Sequence, residues 1–389
     1  MKKRMIILFK ILISTVILFN LTGCWNANEL NTLPIVVGIG IDKAPSDEEV
    51  QVVAQIIKPQ ELQGSLGSSD GGGEAYWNLT STGETIFDAI REMTHESSGR
   101  LYTAHNQIIV IGNKIASEGV QKYLDFFMRA HETRPNTLIV ISSNTSTEIL
   151  DTKPELTRIP AESITRLSEA QEIQSHSKKV TFQDFTNYLM SKTTSPVAPL
   201  ITSLKDKETS TLKIEGMAIF KGDQMVGQLD ESESRGLLWV TGDIKTGALV
   251  VPYKNEVVTL EIINAKRKIT PKIQGDNIYI HVEIKEEGKI VEQTSKENLA
   301  TLQDFEELKK VQNEAIKSEI LSALNKAQEL NTDIFGFGEE IHKKYKEEWK
   351  EISSNWDKIF PSIEVEIEIQ SSIDSTGKIS HPAVPQSLE

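Results

Sequence analysis

The chain has 389 residues, 38% of them hydrophobic and 25% charged, enough length for two or three domains with a large buried core. That balance excludes both a wholly disordered chain and a polytopic membrane protein. Its 42 Lys and Arg against 56 Asp and Glu leave a net charge of −14, which repels phosphate backbones and argues against nucleic acid as a partner. A single cysteine permits no intrachain disulfide and no Cys-rich metal site.

Residues 1–23 read as a signal peptide. Lys2, Lys3 and Arg4 form a basic start, followed by an apolar stretch from Met5 to Phe19 interrupted only by Lys10. Its cleanest run, Ile11 to Phe19, covers roughly 14 Å as a helix, about half of a ~30 Å hydrocarbon core. A signal h-region fits better than a stable membrane span. The run closes on Leu21-Thr22-Gly23-Cys24, which looks like the lipobox of a bacterial lipoprotein. Small Thr22 and Gly23 suit cleavage between Gly23 and Cys24, and the Cys24 thiol suits diacylglyceryl transfer. Cleavage removes four basic residues and no acid, leaving a body of about −18. Each buried methylene contributes about 0.8 kcal/mol, so two acyl chains outweigh surface repulsion on the order of 1 kcal/mol per acid. Lipidation also takes the only thiol out of any catalytic role.

Beyond Pro34, strand-like and helix-like stretches alternate. Ile35–Ile41 and Val50–Ile57 read as strands, and Gln63–Gly73 as a Gly- and Ser-rich surface loop. Ser81 and Glu84 have capping-box spacing before a helix with Ile86, Phe87, Ile90 and Met93 on one face. Gln107–Ile111 is a strand, Lys114–Arg129 a helix and Thr137–Ile141 a strand, a rhythm that predicts a sheet covered by helices. Helices follow over Glu162–Gln174 and Thr181–Met190. Pro196, Pro199 and the Lys205-Asp206-Lys207-Glu208 run then mark a domain boundary.

Met217–Phe220 and Met225–Leu229 across Gly222-Asp223 predict a hairpin. Val257–Ile263 and Ile278–Ile284 are strands, the latter with one buried and one wet face. A long helix spans about Lys296–Leu330, its stripe better suited to lying across its own sheet than to a coiled coil. Near the end, Ile363–Ile369 alternates into a strand with Glu364, Glu366 and Glu368 outward, and the tail frays from Asp374. The predicted fold class is α+β (mixed α/β), an elongated multidomain lipoprotein with helix-covered mixed sheets. After the signal peptide its domains are an N-terminal α/β domain over 24–205, a small β-rich middle domain over 206–256 and a C-terminal α+β domain with the long helix over 257–389.

Catalytic signatures are absent from the sequence. The seven histidines lack i,i+4 metal spacing. Gly38-Ile-Gly40 has no third glycine at 43 and is followed by strand residues instead of a helix, so it is a strand and not a dinucleotide loop. Acid pairs such as Glu286-Glu287 and Glu339-Glu340 read as solvated. Phe335-Gly-Phe-Gly338 is either a structural corner or an exposed partner contact. The expectation is a non-enzyme with no cofactor and no metal.

Taken in order, a set of segments resembles the Ger(x)C family, the lipoprotein C subunits of spore germinant receptors. They are Gly23-Cys24-Trp25, Glu29-Leu30, Gly40-Ile-Asp42, Ser98-Gly-Arg100-Leu-Tyr102 with His105, and Ile109-Val-Ile-Gly112 with Gly119. Tyr123–Arg129, Arg134, Gly216–Phe220, Val226-Gly227, Ser234–Leu238, Asp333–Gly338, Trp349, Trp356 and the Ile363–Ile369 strand complete the series. Asn26 and Ala130 stand where the family pattern has acids.

The resemblance implies a lipid-anchored subunit on the outer face of the spore inner membrane, assembled with membrane-embedded A and B subunits in nutrient-triggered germination. The partner-facing residues it suggests are Arg100, His105, Arg129, Arg134, Phe335 and Phe337. The competing readings are a lipoprotein that binds the nutrient itself and a carboxylate-dependent surface hydrolase.

Overall fold

The computed structural model describes residues 2–20, 33–46, 48–63, 74–97, 99–206, 209–275, 277–375 and 379. Gly23 and Cys24, the Gly-rich stretch over 64–73 and most of the tail after Ser375 lie outside these residues. The first described residues form a helix, α1 (Lys2–Asn20). Among the described residues no helix is long and apolar enough to cross a membrane.

From Val36 to Leu229 the chain builds one eight-stranded sheet. Its strands are β1 (Val36–Lys43), β2 (Val50–Ile57), β3 (Tyr76–Gly83), β4 (Ile108–Ile111), β5 (Leu138–Ser142), β6 (Val197–Asp206), β7 (Thr209–Lys221) and β8 (Gln224–Leu229). In space they run β3-β2-β1-β4-β5-β6-β7-β8. A parallel centre of β1, β4, β5 and β6 is flanked by antiparallel strands on both sides. β4 and β5 are buried throughout, which is why their sequences are apolar runs without alternation, with only Ser142 polar at the end of β5.

After the short α2 (Pro59–Gln63), helices cover both faces. α3 (Ile86–Glu92), α4 (Asn113–Glu118), α5 (Gln121–Arg129) and α8 (Phe182–Leu189) share one apolar cluster with Ile39, Ile109 and Ile139. α6 (Ser146–Asp151) and α7 (Pro160–Gln174) share the other with Val37, Ile108 and Val140.

α9 (Glu231–Thr241) leads into a second sheet of β9 (Gly247–Tyr253), β10 (Glu256–Gln274), β11 (Asn277–Gln293) and β12 (Glu364–Ile373), ordered β12-β11-β10-β9. Between β11 and β12 run α10 (Leu302–Glu329), α11 (Phe337–Lys344), α12 (Lys346–Ile352) and α13 (Trp356–Ile359). α10 lies across this sheet and also against α9, so its stripe of Leu308, Ile316, Ile320, Leu324 and Ala327 is buried in place and not in a coiled-coil seam. The largest apolar cluster holds residues from Val36 through to Ile373 and joins the two sheets.

The mixed α/β class, the β7–β8 hairpin and the acidic outer face of β12 match the sequence reading. Other expectations change. The stretch 114–129 breaks into α4 and α5 at Gly119, where the Asp223 carbonyl takes the Val120 amide at 2.9 Å and its carboxylate takes that of Gln121 at 3.3 Å. Ser81 belongs to β3, and α3 is capped instead by Thr85, whose hydroxyl accepts from the Asp88 amide at 3.1 Å. The middle domain expected over 206–256 has no sheet of its own. β7 and β8 hydrogen-bond into the first sheet, and β9 opens the second. β6 begins at Val197, between Pro196 and Pro199, and pairs with β7 through Pro199.

Candidate interaction face

Most segments that carry the family pattern form joints of the scaffold. Asp42, buried at the end of β1, accepts from the amide and hydroxyl of Ser146 at 2.7 and 2.9 Å. It also takes the amide and hydroxyl of Thr147 at 3.0 and 2.8 Å, so it fixes the start of α6. Arg235 on α9 is largely covered against Glu319 on α10, its side chain 11% exposed and its Nε lying 3.0 and 2.9 Å from the two carboxylate oxygens. Trp239 donates its indole N–H to the same carboxylate at 3.0 Å. Burial and the neighbouring Arg235 hold the His176 pKa below its ordinary value.

Asp333 anchors the Phe335–Gly338 corner. Its carboxylate accepts the amides of Gly336, Phe337 and Gly338 at 2.9, 3.1 and 2.7 Å and the Trp356 indole N–H at 3.1 Å. Burial pushes its pKa up to about 6 against the pull of these donors. Phe335 and Phe337 stack at 5.1 Å and are only 5% and 1% exposed. Both are therefore removed from the expected partner face: the corner turns its aromatics inward, onto Phe360 and away from solvent.

The other four expected residues are on the surface. Arg100 is 71% exposed and donates to Glu132 at 2.6 Å, while the other oxygen of Glu132 takes the Thr103 amide and hydroxyl at 3.1 and 2.7 Å. His105 is exposed, its ring edge-on to Tyr102 at 5.5 Å. Arg129 is 79% exposed and donates to Asp125 at 2.7 Å, which holds the Asp125 carboxyl below its ordinary range. Arg134 is exposed on the loop after α5.

Arg100 and Arg129 converge on one cleft of about 340 Å³ with Arg91, Phe87, Phe126 and His131. A neighbouring cleft of about 530 Å³ shares Phe87, Phe126 and Arg129 and adds Glu48, Glu84 and Asp125. The two rings lie 6.3 Å apart and form the divide, with the Arg91 guanidinium 4.9 Å above Phe87. His105 and Arg134 line neither cleft. Sequence reasoning had assigned Phe87 to the core, yet it is half exposed.

This face stands where the chain enters the body. The Tyr102 amide donates to the Pro34 carbonyl at 2.9 Å, and the Val36 amide donates to the Tyr102 carbonyl at 3.0 Å. On the second sheet, His281 lies between Glu366 and Glu368 at 3.1 and 3.5 Å. Among the described residues no group of three or more His, Cys, Asp or Glu could hold a metal ion.

Residues 26–203 match the family model described as the spore germination protein N-terminal domain, and residues 215–377 match the spore germination B3/GerAC-like C-terminal domain. The chain belongs to the Ger(x)C family of spore germination proteins. It is 27% identical to spore germination protein KC of Bacillus subtilis (strain 168) over 383 residues, covering 93% of this chain and 94% of that one. Spore germination protein B3 of the same organism is 24% identical over 367 residues, with 93% and 96% covered. GerQC of Bacillus cereus is 21% identical, with 80% and 90% covered. A crystal structure of the GerBC protein shares the fold, with a TM-score of 0.56 at 20% identity over 89% of this chain and 99% of that one. The two family models meet between residues 203 and 215, inside the β6–β7 pair.

Proposed function

We propose that the chain is the lipid-anchored, non-catalytic C subunit of a spore germinant receptor. In this reading it is cleaved before Cys24, tethered on the outer face of the spore inner membrane, and assembled there with the A and B membrane subunits for nutrient-triggered germination. The observation that carries the reading is family membership through both halves of the chain. The position of Pro34 adds a geometric reason. Ten chain steps from Cys24 to Pro34 reach about 35 Å at most, so the face of Arg100, His105, Arg129 and Arg134 is kept close to the bilayer. Confinement of this kind raises the effective concentration of integral partners to the millimolar range, on the order of 1 mM for a short flexible link, so weak contacts suffice.

Spores carrying Cys24→Ala are expected to lose the protein from the membrane fraction. They should respond poorly to nutrient and normally to a trigger that bypasses nutrient receptors. A normal nutrient response after deletion of the whole gene, in spores lacking other receptors, rules the receptor reading out. A second variant, Arg100→Ala with Arg129→Ala, removes two exposed ion pairs without placing new charge beside Glu132 or Asp125, and should leave the fold intact. Its nutrient response should nevertheless fall at normal protein abundance. An unchanged response in the same background removes this face from the assembly.

A further inference from the structure

The alternation of β11 places Ile278, Ile280, Val282, Ile284, Glu286, Gly288 and Ile290 on the face covered by α10. A glutamate thus occupies a core position, 1% exposed, in a column otherwise apolar or glycine. Gln312 of α10, fully buried, donates its Nε2 to Glu286 Oε2 at 2.6 Å. Three buried polar atoms at this place have no hydrogen-bond partner among the described residues: Glu286 Oε1, Gln312 Oε1 and Ser371 Oγ of β12. Gly288 makes the room. A Cβ there would stand 2.8 Å from Glu286 Oε1 and 3.1 Å from Gln312 Nε2.

A buried carboxylate with one amide N–H as its only donor at hydrogen-bond geometry is costly, and so is the unpartnered buried amide oxygen of Gln312. One proton on Glu286 Oε1 removes the buried charge and turns an unpartnered acceptor into a donor beside the Gln312 amide.

We propose that Glu286 is a buried proton-binding site. It is held neutral as a carboxylic acid paired with the Gln312 amide, and loss of its proton to solvent loosens α10 from the second sheet. The charges around it favour the neutral form. After burial itself, the Ser371 hydroxyl is the strongest influence and favours the carboxylate, while the negative charges of Glu287 on the same strand and Asp374 after β12 favour the acid. Of the lysines near it in sequence, Lys285 is paired with Glu283, Lys289 with Glu261 and Lys309 of α10 with Glu306, while Lys310 of α10 is exposed to solvent. Burial pushes the carboxyl up to about 7. The site is independent of the lipid anchor.

The linkage has a definite sign. The native state keeps a proton that the unfolded chain releases near 4.5, so its contribution to stability is complete below that pH and is lost as pH rises toward about 7. The test uses the purified full chain with glutamate side chains labelled at the carboxyl carbon. An infrared pH titration should show a protonated glutamate C=O band that persists at pH 6, disappears by about pH 8, and is absent from Glu286→Gln. In denaturant titrations the native chain's unfolding constant should rise by up to about tenfold per pH unit between pH 5 and 7, relative to Glu286→Gln. If every glutamate band titrates in the ordinary range, the carboxylate is ionised and the proposal is wrong. Persistence of the band in Glu286→Gln assigns it to another residue and overturns it equally. The infrared result on the unaltered chain decides the matter even if the variant does not fold.

Discussion

Glu319→Ala is expected to destabilise the protein by about 3–5 kcal/mol, read as a lower urea midpoint at unchanged slope. The cost comes from what stays behind. Arg235 remains largely covered on α9 with its guanidinium facing the gap, still bonded to the Ala248 carbonyl at 3.0 Å and still 3.3 Å from His176. The buried Trp239 indole N–H loses its acceptor. A buried cation deprived of its carboxylate is far more costly than an ion pair replaced outright, so the double replacement Arg235→Leu with Glu319→Leu should recover most of the loss. A single-variant cost below about 1 kcal/mol would show that water reaches this joint. The backbone sets the same constraint, since any Cβ at Gly236 would overlap the Glu319 carbonyl and force α9 away from α10.

Asp333→Ala should be of similar size, about 3–5 kcal/mol, with loss of the tertiary near-ultraviolet signal of the surrounding tryptophans before global unfolding. Three backbone amides and the Trp356 indole share that one carboxylate; the Phe337, Gly338 and Trp356 bonds are buried and that of Gly336 is partly so. The corner also ties the two sheets together, because the Ser195 amide donates to the Asp333 carbonyl at 2.8 Å and the Thr193 hydroxyl to Glu339 at 3.0 Å. Asp333→Asn keeps one oxygen for Gly336 and Phe337 but presents an NH₂ to Gly338 and Trp356. Its cost should fall between those of the native chain and the alanine variant. The raised Asp333 pKa adds a pH trend: stability declines as pH climbs from about 4 to about 6, and the asparagine variant should lack that part of the decline.

The residues whose periodicity reports burial on one face were legible in advance: Ile278–Ile284, the α10 stripe, Ile363–Ile369 and the hairpin around Gly222-Asp223. Elements shaped by partners distant in sequence were not. β10 continues through Lys266, Arg267 and Lys268, whose exposure erases the alternation, and is held there by pairing with β11. Nothing within 114–129 announces that Asp223, a hundred residues on, will take the amides that end α4 and begin α5.

The candidate face was half visible. Arg100, His105, Arg129 and Arg134 are exposed, whereas the aromatics of the 335–337 corner are drawn inward by a carboxylate two residues upstream. Glu286 was misjudged as one of a solvated pair. Its parity with Ile284 was the available signal, and it sets Glu286 apart from its exposed neighbour Glu287.

The pairing of β6 with β7 has a consequence for exchanging parts between related chains. The two family models part inside this pair, yet cutting there would strip β6 of the neighbour it bonds from Val197 to Asp206 and leave a raw sheet margin. A hybrid spliced at that point would have to rebuild a ten-residue ladder between strands of different parentage. A splice after Leu229 leaves the whole first sheet in one lineage and moves the compatibility problem to α9 and the bed it shares with α10.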